Sequence, residues 1–426
     1  MSTLRVGAAL VDITPPAGLA MAGFAARSEP ATGAHDALTV RALVVEETAL
    51  VIVDVLGLDR TTIGAMKARA ALPAENIVIA ALHTHGGPQT LVGRFIPGLD
   101  AAYMQRLEDA VVRAISDALT ARRPAVMSFG SGADPGVAKN RRHPGGLTDP
   151  HLPVLSFTGT DGSPIATLVA HACHPVVLGA DNRLWTADYP GVTRARIEVA
   201  RPGTMAIFAT GCTGDANTGH SAYASWTLSA SNTRTFDAAD RIGTAVAEKA
   251  LAAPLGLHAA TGASIARRTV PLGFARRETE TMDALAARWR AESEAGDAAR
   301  KALLSGWIAW AERGLPDDLA TCRLDVEIAA LRWGDIEIVA LPGEIFAETA
   351  HTVRALIGNP DAIVIGFADD NPGYIPPASE FPFGGYEVDD AHRYYGQPAT
   401  FAPGSAEALA EAAADAVREL RGRSKA

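Results

Sequence analysis

The chain has 426 residues, 48% of them hydrophobic, enough to bury a large core as one big domain or two intimate ones. A formal net charge of −10 and a pI near 5.6, with no Lys/Arg-rich run, exclude a nucleic-acid partner. Cys173, Cys212 and Cys322 form no CxxC pair or disulfide framework and suit a reducing compartment; with no signal-like N-terminus and no apolar run of spanning length, the expected location is cytoplasmic, away from membranes.

In chain order, LRVGAALVDI and LTVRALVVEETALVIVDVLGL hold short β-branched and apolar runs broken by polar pairs, which predicts strands. TTIGAMKARAAL predicts a helix, NIVIAAL the next strand, and AAYMQRLEDAVVRAISDALTAR a long amphipathic helix from its three- and four-residue apolar spacing. Further strands are expected at AVMSFGSG, VLSFTG, PIATLVAHA, TMAIFATG, LRWGDIEIVALPG and AIVIGFA, with helices at VTRARIEVA, DAADRIGTAVAEKALAA and the C-terminal GSAEALAEAAADAVRELRGR. The pattern is α/β, with mixed β-sheets layered with α-helices, because strands neighbour strands too often for a purely parallel sheet. One catalytic domain over 1–426 is expected, with the charged segment 277–314 as a helical insertion that either covers a pocket or pairs with a second subunit of a homo-oligomer.

Nearly every apolar strand ends in a Gly- or Pro-rich loop carrying ionisable or amide groups, the usual place for a site on an α/β scaffold. The loops are HTHGGP with His83 and His85; AKNRRHPGG with Arg141, Arg142 and His143; AHACHPVVLGADNRLWTADYPG with His171, His174 and Asp188; TGCTGDANTGH with Asp215, Asn217 and His220; LPGE with Glu344; and NPGYIPPASEFPFGGYEVDD with Tyr374 and Tyr386. A hydrolytic zinc needs three or four nitrogen or oxygen ligands and an open position for water, and this histidine and carboxylate supply suffices. Taken alone, HxH serves equally as a cap or a buried hydrogen bond, Tyr374 as a packed ring, and Glu344 as a solvated carboxylate. His35 and Asp36 either cap the following strand or reach the rim of the site.

Taken together and in order, VDITPP, HTHGGP, KNR, VLSF, HPVVLGADNRLWTADYPG, GCTGDANTG, LPGE and the Tyr374 to Tyr386 pair resemble the catalytic domain of the neutral (non-lysosomal) ceramidases, zinc-dependent amidases. The resemblance implies a Zn2+ site on His83, His174, Glu344 and Tyr374, with His174 preferred to His171 because Asn182, Leu184, Asp188 and Gly191 keep the family's offsets from it. It also implies oxyanion and substrate-positioning roles for His85, Arg141 and Tyr386, with Arg142 able to replace Arg141. Asp215 matches the family's Gly-Asp pair, as a loop-orienting residue or general base.

Two departures bear on the substrate. Asn217 stands where the ceramidases carry serine, and an amide is no nucleophile, so water activated by the metal becomes the expected attacker, with Asn217 a hydrogen-bond donor to substrate. The chain is also expected to be without the family's C-terminal β-sandwich, which favours a small-molecule substrate over a long sphingolipid, with Arg141, Arg142, His143, Arg183 and His220 able to bind a carboxylate. Hydrolysis of an amide-type C–N bond leads; an esterase or lactonase, a metal-dependent lyase or isomerase, and a silent ligand-binding protein are the alternatives.

Overall fold

The computed structural model describes residues 3–93, 98–316 and 318–423. The expected mixed α/β layering is present, built on two large sheets. The first is nine-stranded and runs Met205–Thr210, Pro164–His171, Leu152–Gly159, Arg123–Gly132, Leu4–Asp12, Thr39–Val45, Thr48–Val53, Ile77–Ala81, with Gly256–His258 added beside Arg123–Gly132. Its middle pairings are antiparallel, while the outermost pairing at each end is parallel. Thr39–Val45, Thr48–Val53 and Ile77–Ala81 are buried at every position, which is why they read as continuous apolar runs without alternation. The amphipathic helix Ala101–Thr120 lays Leu107, Val111, Ala114 and Ala118 against Leu4–Asp12 and Thr39–Val45. Gly7 allows that approach, since a Cβ there would stand 2.1 Å from the Ala118 carbonyl oxygen.

The second sheet has five strands in the order Ile363–Ile365, Ile336–Ala340, Arg323–Trp333, Ala263–Ala275, Thr400–Phe401. One face joins the core of the first sheet through Leu331, Trp333, Ile338 and Ile365. The other, with Val326, Ile328 and Val339, packs on the helices Ala347–Ile357 and Ser405–Arg423 through Val353, Leu409 and Val417.

The strand Ala263–Ala275 and the helix Ala347–Ile357 are not among the elements expected from sequence. The strand hides behind Arg267, Arg268 and Pro271, which break its apolar pattern. Arg267 is spent on the neighbouring sheet, donating to the Glu75 carbonyl at 2.8 Å and the Asp369 carboxylate at 2.7 Å. The segment 277–314, expected to be helical, holds two helices, Met282–Ala295 and Ala298–Arg313, capped by Thr281 and Asp297. Its Trp289, Trp307 and Trp310 form a separate apolar cluster with Tyr394. Among the described residues, no helix is long and apolar enough to cross a membrane.

In the core, the buried Arg194 donates from both terminal nitrogens to Asp54 at 2.7 and 2.8 Å while Asp54 also accepts from Thr39. Removing one partner of such a pair leaves an uncompensated charge, at a cost of about 3–5 kcal/mol. Arg194→Met is therefore expected to lower unfolding stability by that amount, read as a shift of the urea midpoint. A shift below about 1 kcal/mol would mean that water reaches Asp54 in place of the lost partner.

Candidate metal centre and its pocket

Parallel pairings between the longer strands end at one place: Thr48–Val53 with Ile77–Ala81, Pro164–His171 with Met205–Thr210, and Ile336–Ala340 with Ile363–Ile365. The loops that leave them carry the residues expected to bind a metal. His83 lies just past Ala81 with a left-handed φ of 67°, its N–H donating to the Val55 carbonyl. Its ring stacks on Phe367 at 4.0 Å. His174 follows Pro164–His171, and its N–H donates to the Ala216 carbonyl. Glu344 and Tyr374 sit opposite each other in the short parallel pairing of Glu344–Ile345 with Tyr374–Ile375. The fold thus brings His83, His174, Glu344 and Tyr374 together from four separate loops.

The hydrogen bonds fix which nitrogens are free. His83 Nδ1 meets the Leu56 carbonyl at 2.6 Å and His174 Nδ1 meets the Thr213 carbonyl at 2.8 Å. A carbonyl only accepts, so both Nδ1 atoms carry the proton and both Nε2 atoms present lone pairs. Those Nε2 atoms lie 2.9 Å apart, and Glu344 Oε2 stands 3.5 and 3.2 Å from them. Three lone-pair atoms converging in a buried space repel one another unless a cation sits among them. Imidazoles oriented by outer carbonyls are the usual arrangement for metal ligands. His85 adds a third imidazole: one ring nitrogen from each of His83, His85 and His174 falls within 4.8 Å of the others.

Among the described residues His85 has no hydrogen-bond partner at either ring nitrogen, and burial holds its pKa well below the ordinary histidine value. It is therefore neutral, one donor and one acceptor aimed at the pocket. Arg27 fixes its backbone by donating to the His85 carbonyl at 2.9 Å. Gly23, at φ 100°, leaves the ring room, since a Cβ there would be 2.6 Å from His85 Nδ1.

Of the two adjacent arginines, Arg141 reaches the site. It donates to the Tyr374 hydroxyl at 2.8 Å, to the Gly214 carbonyl at 2.8 Å and to Glu387 at 2.8 Å, whereas Arg142 is held by Glu380 and Glu387. Burial works against the Arg141 charge, but Tyr374 and Glu387 more than offset it, so the guanidinium stays charged. Tyr386 packs edge-on to Tyr374 with ring centroids 5.7 Å apart.

Asp215 and Asn217 are placed differently from a reacting group. The Asp215 carboxylate accepts from Asn140 Nδ2 at 3.0 Å and from the Ala347 N–H at 2.9 Å, which anchors the start of the helix Ala347–Ile357 and fits the loop-orienting role. Asn217 Oδ1 accepts from the N–H groups of Gly219 and His220, and its Nδ2 donates to the His220 carbonyl at 2.7 Å. Most of its amide is used to close its own loop. His171 stays in its strand, buried, and Asp36 accepts from the Ala187 N–H and the Thr186 hydroxyl. His143 and Arg142 are both engaged with Glu380, and Arg183 with the Pro30 carbonyl, so this set does not form an open carboxylate clamp.

The pocket has two lobes that share His85, Tyr374 and Tyr386. One, of about 590 Å³, is lined by Leu56, Leu91, Trp226, Tyr394 and Tyr395 together with His83 and Glu344. The other, of about 370 Å³, is lined by Arg141, Asn217, His220, Ser221 and Arg234. Sequence reasoning missed Tyr395, whose hydroxyl donates to Glu344 Oε1, and Arg27. It could not have found the Leu56 and Thr213 carbonyls, because backbone groups leave no residue signature.

Fold and site define a mixed α/β protein with a buried histidine and carboxylate centre suited to a transition metal. The family model for the neutral/alkaline non-lysosomal ceramidase N-terminal region matches residues 4–221, and the chain belongs to that family. It is 27% identical over 218 residues to the neutral ceramidase of Pseudomonas aeruginosa, a match that covers 44% of this chain and 32% of that protein. A crystal structure of neutral ceramidase from Pseudomonas aeruginosa shares the fold at a TM-score of 0.76 and 19% identity, over 99% of this chain and 75% of the other. A ceramidase complexed with C2 matches at 0.75 and 20% identity, over 99% and 76%.

Two outcomes follow for the protein without metal. Burial pushes His171, His174 and His220 to about 4, so between pH 6.5 and 4 the unfolded chain binds more protons and stability is lost as pH falls. Asp188 and Asp215, pushed up to about 6 by burial, act in the opposite sense between 3.8 and 6. The histidines outnumber them, so the urea midpoint is expected to rise from pH 4 to 6.5, and His171→Gln to flatten that slope. A midpoint that falls over this range would contradict the buried, neutral histidines. Gly23→Ala is expected to displace the His85 ring, visible as a shifted His85 imidazole signal in NMR, while an unmoved signal would mean the loop gives way instead.

Proposed function

We propose that the chain is a zinc-dependent amidohydrolase cleaving a linear or cyclic amide-type C–N bond of a small substrate. The observation that carries this is the convergence of His83 Nε2, His174 Nε2 and Glu344 Oε2, lone-pair atoms with no cation of the protein's own among them. Family membership supports amide hydrolysis, since a ceramide is an N-acyl amide and the curated relative is named for it. His83, His174, Glu344 and Tyr374 would hold the ion, a mixed nitrogen and oxygen set that suits zinc. Zinc supplies Lewis acidity toward a carbonyl oxygen and lowers the pKa of water toward neutrality.

The chain's own residues do the rest. Arg141 keeps a permanent cation at the Tyr374 hydroxyl, beside the shared wall of the two lobes. His85 and Tyr386 offer neutral donors there, where the oxygen of a tetrahedral intermediate needs stabilising. With Asn217 at the position of the family's serine, water is the nucleophile, and the Asn217 amide holds the 217–220 loop as a wall of the polar lobe.

Plasma mass spectrometry on purified protein should find about one zinc per chain, largely lost in His83→Ala and His174→Ala. Protein that takes up no zinc when supplied would overturn the reading. The zinc-loaded enzyme should turn over members of a panel of amides and cyclic imides; turnover confined to esters and lactones would favour the esterase alternative. Asn217→Ser, which removes the loop's side-chain links, is expected to reduce kcat/KM by about tenfold, equivalent to roughly 1.4 kcal/mol. A rise in kcat/KM would argue for a latent serine mechanism.

A further inference from the structure

Tyr395 belongs to no motif that the resemblance carries, yet its hydroxyl donates to Glu344 Oε1 inside the pocket. The other oxygen, Oε2, is the one that faces His83 and His174, at 3.5 and 3.2 Å, and among the described residues it has no hydrogen-bond partner. A carboxylate free to swivel would present either oxygen, or both. Held at Oε1, it presents one.

The position of Tyr395 is over-determined. Gly373, at φ 113°, lies where a Cβ would be 2.8 Å from the Tyr395 ring, so the ring fills the space that glycine leaves. The ring packs edge-on to Tyr374 at 6.2 Å. On one side Gln397 Nε2 donates to the Pro372 carbonyl at 3.0 Å, and Trp310 Nε1 donates to the Gln397 carbonyl at 2.7 Å. On the other, Arg393 is buried over Trp289, Trp307 and Trp310 at 5.1, 4.5 and 5.6 Å and ion-paired to Glu278 and Asp390. The two-helix insertion thus clamps the segment that carries Tyr395 against the strand that carries Tyr374.

We propose that Tyr395 is a positioning residue of the metal centre, its hydroxyl locking Glu344 so that Oε2 alone turns toward His83 and His174. This rests on the reading of His83, His174 and Glu344 as metal ligands. Hydrogen-bond partners behind the ligands set their orientation, and losing one typically weakens metal binding by about 10–100-fold.

The test is Tyr395→Phe, which keeps the ring in the Gly373 recess and removes only the hydroxyl. Zn2+ would be titrated into metal-free protein against a chromophoric chelator, Co2+ binding followed by its visible absorption, and the urea midpoint of the metal-free protein measured alongside. A Zn2+ dissociation constant raised about 10–100-fold, with an altered Co2+ spectrum, is expected. An unchanged dissociation constant overturns the inference, including where the urea midpoint alone falls, since that marks a merely structural hydroxyl. Loss of binding as complete as in Glu344→Ala also overturns it, because Tyr395 would then be a ligand itself. Wild-type protein that binds neither ion overturns the metal reading, and this inference with it.

Discussion

Everything at the candidate centre depends on one hydrogen-bonded seam that joins the ends of three strand pairs. The Thr210 hydroxyl donates to the Leu82 carbonyl at 2.6 Å, which bridges the two opposite edges of the nine-stranded sheet. The Gly366 N–H donates to the Thr210 carbonyl, the Phe367 N–H to the Gly343 carbonyl and the Ala81 N–H to the Phe367 carbonyl, which ties the second sheet into the same junction. Without it the sheet edges would splay, and histidines from opposite edges could not meet a glutamate from the other sheet. The backbone is strained here: His83 and Phe367 both hold left-handed φ values, of 67° and 56°. Such conformations cost about 1–3 kcal/mol each and persist only where the surroundings over-determine them. The stacking of the His83 and Phe367 rings on each other is part of that determination.

A second constraint is charge. Arg141, Glu387, Arg142 and Glu380 form a chain of buried ion pairs that fastens the 139–143 loop to the segment 374–387. Buried charges cost several kcal/mol unless paired, so the two segments cannot separate without exposing or stranding ions. That makes the wall carrying Tyr374 and Tyr386 rigid. Rigidity of this kind is what preorganised donors need, since a donor that must reorganise during the reaction gives back part of what it stabilises.

These constraints were unequally legible in the sequence. The strands Thr39–Val45, Thr48–Val53 and Ile77–Ala81 announced themselves because full burial demands unbroken apolar runs. His83, His174, Glu344 and Tyr374 emerged from motif order, since each loop is short and rich in glycine or proline. The strand Ala263–Ala275 did not, because Arg267 serves a neighbouring sheet and a one-dimensional pattern cannot show a partner 102 residues away at Asp369. Tyr395 was invisible for the same reason: its meaning lies in the Gly373 recess and the Glu344 oxygen, and RYYG alone carries neither. The insertion's tryptophans were noticed, but their role as the seat of Arg393 is a tertiary fact.

At Asn217 a single side chain closes its own loop. A serine side chain has one rotatable hydroxyl and can point at a substrate while its backbone stays in the loop. The asparagine amide instead satisfies the Gly219 and His220 N–H groups and the His220 carbonyl, turning the loop into a self-closed wall. His83, His174, Glu344 and Tyr374 lie outside the 217–220 loop, as do the Leu56 and Thr213 carbonyls that meet the two imidazoles. The scaffold therefore separates two jobs physically: the strand ends and their seam hold the centre, and the 215–221 loop shapes what reaches it. Changes confined to that loop then alter the shape of the polar lobe and leave the arrangement of His83, His174, Glu344 and Tyr374 as the fold made it.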